Sequence, residues 1–327
     1  MLTILSPIGC EDAPPNTTSI DVEATLHRAE QLLNMQQPEE ATPLAIQAVK
    51  AAPLDWRTHE LMARIHMHQA IVAKDAGLME TSHDYMTLAV QDYDQCLSLP
   101  HVPTGLWMSG GDAAQLIGNL DQATQWYEAG LSHHPDDSRL LLRFAQLKAN
   151  EQPDQAISML QKALDQKPDL AEALASLALI EASDQEDRAR THIKMAVDLK
   201  PHDSTIRIIH ARVLLALNEP ARAIEILSSL PDDIRESEAA STHLARCWAT
   251  LNRPDRVADV WAACFARMAY RTDAWTFALK AAQAAIQAGD HPQAAGLIDQ
   301  AVILQAPAEE VQAIRRQLTA ETQSGPS

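Results

Sequence analysis

His59, His66 and His68 fall close together on one predicted helix, and neutral imidazole is the commonest metal ligand. Residues seven apart share a helical face, so His59 and His66 can point the same way. A metal site on a helix wants ligands at i and i+4, or a convergent third ligand, and neither pattern is present. The run Ser109-Gly110-Gly111-Asp112 has the small residues of a phosphate-cradling loop, but Gly111 falls where packed helices demand a small residue, so the run reads as structural. Asp92/Asp94, Asp136-Asp137 and Asp232-Asp233 are paired carboxylates, but they fall at turns or exposed faces and read as solvated charges and helix caps. His133-His134 stands before Pro135 at a helix end, where it can contact the helix dipole. Dinucleotide-binding glycine patterns, phosphate loops, zinc-protease motifs and nucleophile elbows are absent from the sequence. These readings name no catalytic, cofactor-binding or metal-binding residue, and the expectation is a protein that is not an enzyme.

The four cysteines divide into two kinds. Cys96 and Cys264 occupy a slot held elsewhere by Ala48, Ala163 and Ala196, so they read as small buried hydrophobes, and Cys247 beside Trp248 reads the same way. No two cysteines are separated by two residues, which argues against zinc or a thioredoxin-like site. Cys10 differs, because it ends an apolar stretch and is followed at once by acidic and Pro-rich sequence.

Bulk composition points to a helical scaffold. Hydrophobic residues make up 46% of the 327 and aromatics only 4%, so Ala and Leu carry the packing and favour helix. The net charge is −18, from 44 acidic and 26 basic residues. Such a balance opposes non-specific nucleic-acid binding, which needs a basic footprint.

A spaced pattern organises the chain. Gly111, Ala123, Tyr127, Gly130 and Pro135 form one copy, with Trp107 shortly before. Ala145, Ala156, Leu160, Ala163 and Pro168 form the next, and Ala178, Ala189, Ile193, Ala196 and Pro201 the one after. Recurrence at about 33–34 residues means stacked units, none of which can bury its apolar face alone. Each unit reads as two amphipathic helices, and the 18 prolines fall almost entirely between helices. Asn150, Asn218, Asn252 and Gly289 are predicted to end first helices, with Pro opening the next. In the second unit Ala63 finds its partner at Ala89 instead of near position 75, which marks an insertion near 71–82. Residues 1–20 are expected to be a disordered segment, 21–319 about eight repeats with a capping helix over Ala308–Thr319, and 320–327 a disordered tail.

This pattern resembles the tetratricopeptide repeat family, since Trp107, Gly111, Ala123, Tyr127 and Pro135 match its diagnostic positions one by one. The resemblance implies an all-α, right-handed superhelical solenoid whose first helices line a concave groove that binds a peptide or partner protein. The family's groove positions fall on Arg57, Glu60, Arg64 and Met67, then Met108, Asp112 and Gln115, then Arg139, Leu142 and Gln146. Further along they fall on Thr205, Ile208 and Arg212, then Thr242 and Arg246, then Leu279, Gln283 and Ile286. The Lys/Asn arrangement by which chaperone-binding relatives hold a C-terminal carboxylate is not reproduced. Arg64, Arg212 and Arg246 share one slot of three units, where arginine suits an acidic partner segment, though nearby acids such as Glu60 or Asp112 can neutralise it internally.

The leading expectation is a non-enzymatic interaction scaffold that takes a protein or peptide partner, with no cofactor, nucleic acid or small-molecule substrate. Two alternatives stand beside it. One is the regulatory or substrate-binding subunit of a separately encoded enzyme. The other is a bacterial envelope lipoprotein of pilus or outer-membrane machinery, anchored to the membrane only if Cys10 is lipidated. Cys10 resembles a lipidated cysteine after a small residue, but the charged leader is missing and the apolar stretch is short. Read as given, the chain is placed in the cytoplasm.

Overall fold

Alanine-rich amphipathic segments fold into eighteen helices, with no strand among the described residues, 20–323, of this computed structural model. The first pair is α1 (Val22–Asn34) and α2 (Pro38–Ala51), and the second is α3 (Trp56–Asp75) and α4 (Met79–Leu97). Next come α5 (Thr104–Leu116) with α6 (Leu120–His133), α7 (Ser138–Lys148) with α8 (Pro153–Gln166), and α9 (Ala171–Glu181) with α10 (Glu186–Leu199). The sixth pair, α11 (Ser204–Ala216) and α12 (Pro220–Ser228), is followed by one turn, α13 (Asp232–Arg235). The last pairs are α14 (Glu238–Thr250) with α15 (Pro254–Met268), and α16 (Trp275–Gln287) with α17 (His291–Ile303), before a single final helix, α18 (Ala308–Gln323).

Local chemistry sets the helix ends. Asp21, Asp55, Asp137 and Asp203 each accept a backbone N–H from the first turn of α1, α3, α7 and α11, satisfying donors that the helix leaves free. Pro38, Pro153, Pro220 and Pro254 open second helices, where a missing N–H costs nothing. Asn218, Asn252 and Gly289 take positive φ at the ends of first helices. The following residue then donates back to the helix, as Glu219 does to Leu214 O at 2.8 Å and Asp290 to Ala285 O at 2.9 Å. Asn150 does not share this geometry: α7 stops at Lys148, whose carbonyl accepts from Gln152 N at 2.8 Å.

The repeated small residues lie where paired helices cross. Ala123, Ala156, Ala189, Ala223 and Ala294 are all fully buried. At Gly111 the Tyr127 ring fills the space a Cβ would need, so Ser109-Gly110-Gly111-Asp112 is a helix crossing and not an anion loop. Cys96, Cys247 and Cys264 are buried and free.

Each first helix packs on its own second helix, and successive first helices also touch: α1 with α3, α5 with α7, α7 with α9, α9 with α11, and α11 with α14. No comparable contact joins successive second helices, so the first helices form the inner wall of the curve. Helix α18 packs on both α17 and α16, covering the apolar flank of the last pair. Residues 320–323, expected as tail, are helical, because α18 continues through them with Thr322 Oγ1 donating to Leu318 O at 3.0 Å. The stretch before residue 20, with Cys10, and residues 324–327 lie outside the described residues.

Pair α3/α4 is longer than the others, at 20 and 19 residues. Its tip reaches the connection between α15 and α16. Thr272 N–H donates to Ala76 O at 3.0 Å, across 196 residues of sequence, and the Thr272 hydroxyl approaches the same carbonyl at 3.4 Å. Gly77 permits the approach. Its φ is +79°, and a Cβ there would lie 2.6 Å from Asp273 Oδ1 and 2.8 Å from Thr272 N. The receiving loop is braced by Arg271, buried against Phe277 and hydrogen-bonded to Asp273 at 2.7–2.8 Å.

Candidate partner-binding groove

The first-helix side chains read into the groove receive different standings in the structure. At the amino-terminal end the charges neutralise one another. Arg57 donates to Asp55 and Glu23, both at 2.7 Å. Arg64 lies 3.7 Å from Glu30 and 3.6 Å from Glu60, whose own carboxyl is held above its ordinary value by burial, with Arg64 opposing that shift. The acidic partner of Arg64 is therefore already part of the chain.

Asp112 is held from within. Tyr127 donates its hydroxyl to Asp112 Oδ1 at 2.6 Å, and Arg143 Nε stands 3.4 Å away. Gln146 donates to Ser176 Oγ at 3.0 Å and so links α7 to α9. The Thr242 hydroxyl donates back to Glu238 O at 2.7 Å. Arg139 and Gln283 are exposed and make no ion pair or side-chain hydrogen bond among the described residues.

The apolar positions read into the groove divide as well. Met67, Met108 and Ile208 remain half-buried at the wall. Leu142, Leu279 and Ile286 do not, because each is buried in helix packing and unavailable to a partner. The three histidines of α3 disperse to different neighbours: His59 to Pro53 O, His66 to Asp92 and His68 to Gln36.

The wall holds further unpaired cations towards its carboxy-terminal half. Arg212 on α11 and Arg246 on α14 have no ion pair among the described residues, and His243 lies one turn before Arg246. Burial lowers the Arg212 pKa and Arg246 lowers it further. Burial also lowers His243, with Arg212 and Arg246 adding to the effect, so these side chains lie within electrostatic reach of one another. The His243 Nδ1 is buried without a hydrogen-bond partner among the described residues. Sequence reasoning did not single out His243, although its spacing of three from Arg246 places both on one helical face.

A second ionic cluster was also missed. Glu181, buried at the end of α9, pairs with Arg188 at 2.9 Å and His192 at 2.6 Å, both from its partner helix α10. It ties one hairpin together.

No helix among the described residues is long and apolar enough to cross a membrane. No family model and no curated protein matches the chain. Solved structures do. Yeast Tom70 is similar over 97% of this chain and 67% of its own, at 15% identity and a TM-score of 0.59. PilF of Pseudomonas aeruginosa is similar over 69% of this chain and 97% of its own, at 14% identity and a TM-score of 0.50. A tetratricopeptide repeat protein from Parabacteroides merdae is similar over 79% of this chain and 99% of its own, at 14% identity and a TM-score of 0.47.

Proposed function

We propose that this chain, a tetratricopeptide-type solenoid by fold, is a non-enzymatic scaffold that holds a peptide or helical segment of a partner protein against its first-helix wall. The observation that carries this reading is the wall itself. Most successive first helices touch along the inner side, and these helices present half-buried Met67, Met108 and Ile208 between polar positions. Apolar side chains left partly open beside hydrogen-bonding groups suit an amphipathic segment laid along helices.

Site-specific photo-cross-linking in cells tests the reading. A benzophenone side chain placed at Met108 or Ile208 is expected to give a discrete adduct, and one at exposed Leu199 on the outer helix α10 is not. Equal adducts from both faces, or adducts from Leu199 alone, would overturn a groove-based function.

A further inference from the structure

We infer that Arg212, Arg246 and His243 form an anion-receiving subsite in the wall, which takes the carboxylate of an acidic side chain flanked by apolar residues in the bound segment. The inference rests on the scaffold reading above and specifies part of the ligand.

The sequence places Arg64, Arg212 and Arg246 on an equal footing, and the structure does not. Arg64 already lies between Glu30 and Glu60. Carboxylates outnumber basic groups in this chain, and arginines across the fold find them: Arg57, Arg143, Arg188, Arg190 and Arg235 all form ion pairs. Arginines that lack one, such as Arg28, Arg139, Arg246, Arg267 and Arg316, are exposed to water, where an unpaired charge costs little. Arg212 is different. It is half-buried, it has no carboxylate within ion-pair distance among the described residues, and a second guanidinium stands near it. A partly desolvated cation beside another cation is destabilising until an anion enters.

The geometry of the donors fits a carboxylate. Each guanidinium offers a planar pair of N–H groups that matches two oxygens, and the buried His243 Nδ1 has no hydrogen-bond partner among the described residues. The surroundings fit a peptide. Ile208 and Leu215 lie one turn before and one turn after Arg212 on the same face of α11, both only partly buried. An acidic residue with an apolar neighbour one turn away would cover both features. The strongly acidic remainder of the protein repels free anions at long range, so the apolar contacts are needed to bring the carboxylate in.

The test uses the full chain and two short capped peptides, one of leucine and glutamate and one with every glutamate replaced by glutamine. The histidine ring resonance lost in His243→Gln identifies the local reporter. The glutamate peptide is expected to shift that resonance and to bind roughly tenfold tighter than its glutamine counterpart, the scale of one charge-assisted contact. The preference should disappear in Arg212→Gln/Arg246→Gln, persist in Arg64→Gln, and weaken with added salt. Equal affinity for the two peptides, or a preference that survives in the double variant, overturns the subsite. Such a result leaves the scaffold reading intact if the Met108 cross-link still forms. Loss of that cross-link with the peptide preference retained would instead remove the scaffold and keep the subsite.

Discussion

Burial pushes the Cys96 thiol up to about 12 and the Cys247 thiol up to about 11, and it raises Cys264 as well. The three sulfurs are packed like the alanines of neighbouring units, so the folded chain keeps them protonated. An unfolded thiol ionises near about 8.5, below its folded value. The protonated thiols therefore contribute their full stabilisation below that pH, and the contribution is lost as pH rises toward the folded values. In a Cys10→Ser background the melting temperature should fall from about pH 8.5 upward, and Cys96→Ala should make that fall shallower. An unchanged alkaline slope would mean that Cys96 does not titrate with unfolding. The same background should react with iodoacetamide only after denaturant is added. At this scale the sequence was informative about small residues and poor about charged ones. Cys96 and Ala163 share a slot that any copy of the pattern reveals. Arg64 and Arg212 also share a slot, but Arg64 has Glu60 one turn before it, which the sequence shows, and Glu30, which reaches it only in three dimensions.

Helix pairs behave as units because an alanine at each crossing lets two backbones approach closely. Ala156 is fully buried between α7 and α8, in a cluster with Leu141, Leu160 and Leu177. Ala156→Leu should cost about 1–3 kcal/mol, the usual scale of overpacking, read as a lower urea midpoint. A neutral result would show slack at the crossing that the packing does not suggest. Helix identity and pairing were legible because the 3.6-residue period, capping Asp and opening Pro all agree locally. The exceptions have local causes. Asn150 lies past a helix that stops at Lys148, and Leu142, Leu279 and Ile286 are covered by packing that slot arithmetic does not count.

Across the whole molecule, the bond between Ala76 and Thr272 joins the second pair to the connection that precedes the eighth. Nothing in the local sequence announces it, because it depends on the turn accumulated over the intervening pairs. Stacked repeats ordinarily gain stability only from nearest neighbours. Here a contact between distant units should couple their unfolding, and Ala76→Cys with Thr272→Cys, in a Cys10→Ser background, should oxidise spontaneously to a species of altered mobility on a non-reducing gel. Hydrogen exchange at the Thr272 amide should be slow in the native chain and fast in Gly77→Val, whose side chain cannot occupy the space beside Asp273. Fast exchange in the native chain would show that the contact is not kept in solution. If it is kept, the inner wall lies within a loop that has no open side between the second pair and the eighth. A partner with a free tail can pass through such an opening end first, like a thread through an eyelet. A segment inside a folded partner has no end to offer, and it can reach the wall only while the hairpin tip is released.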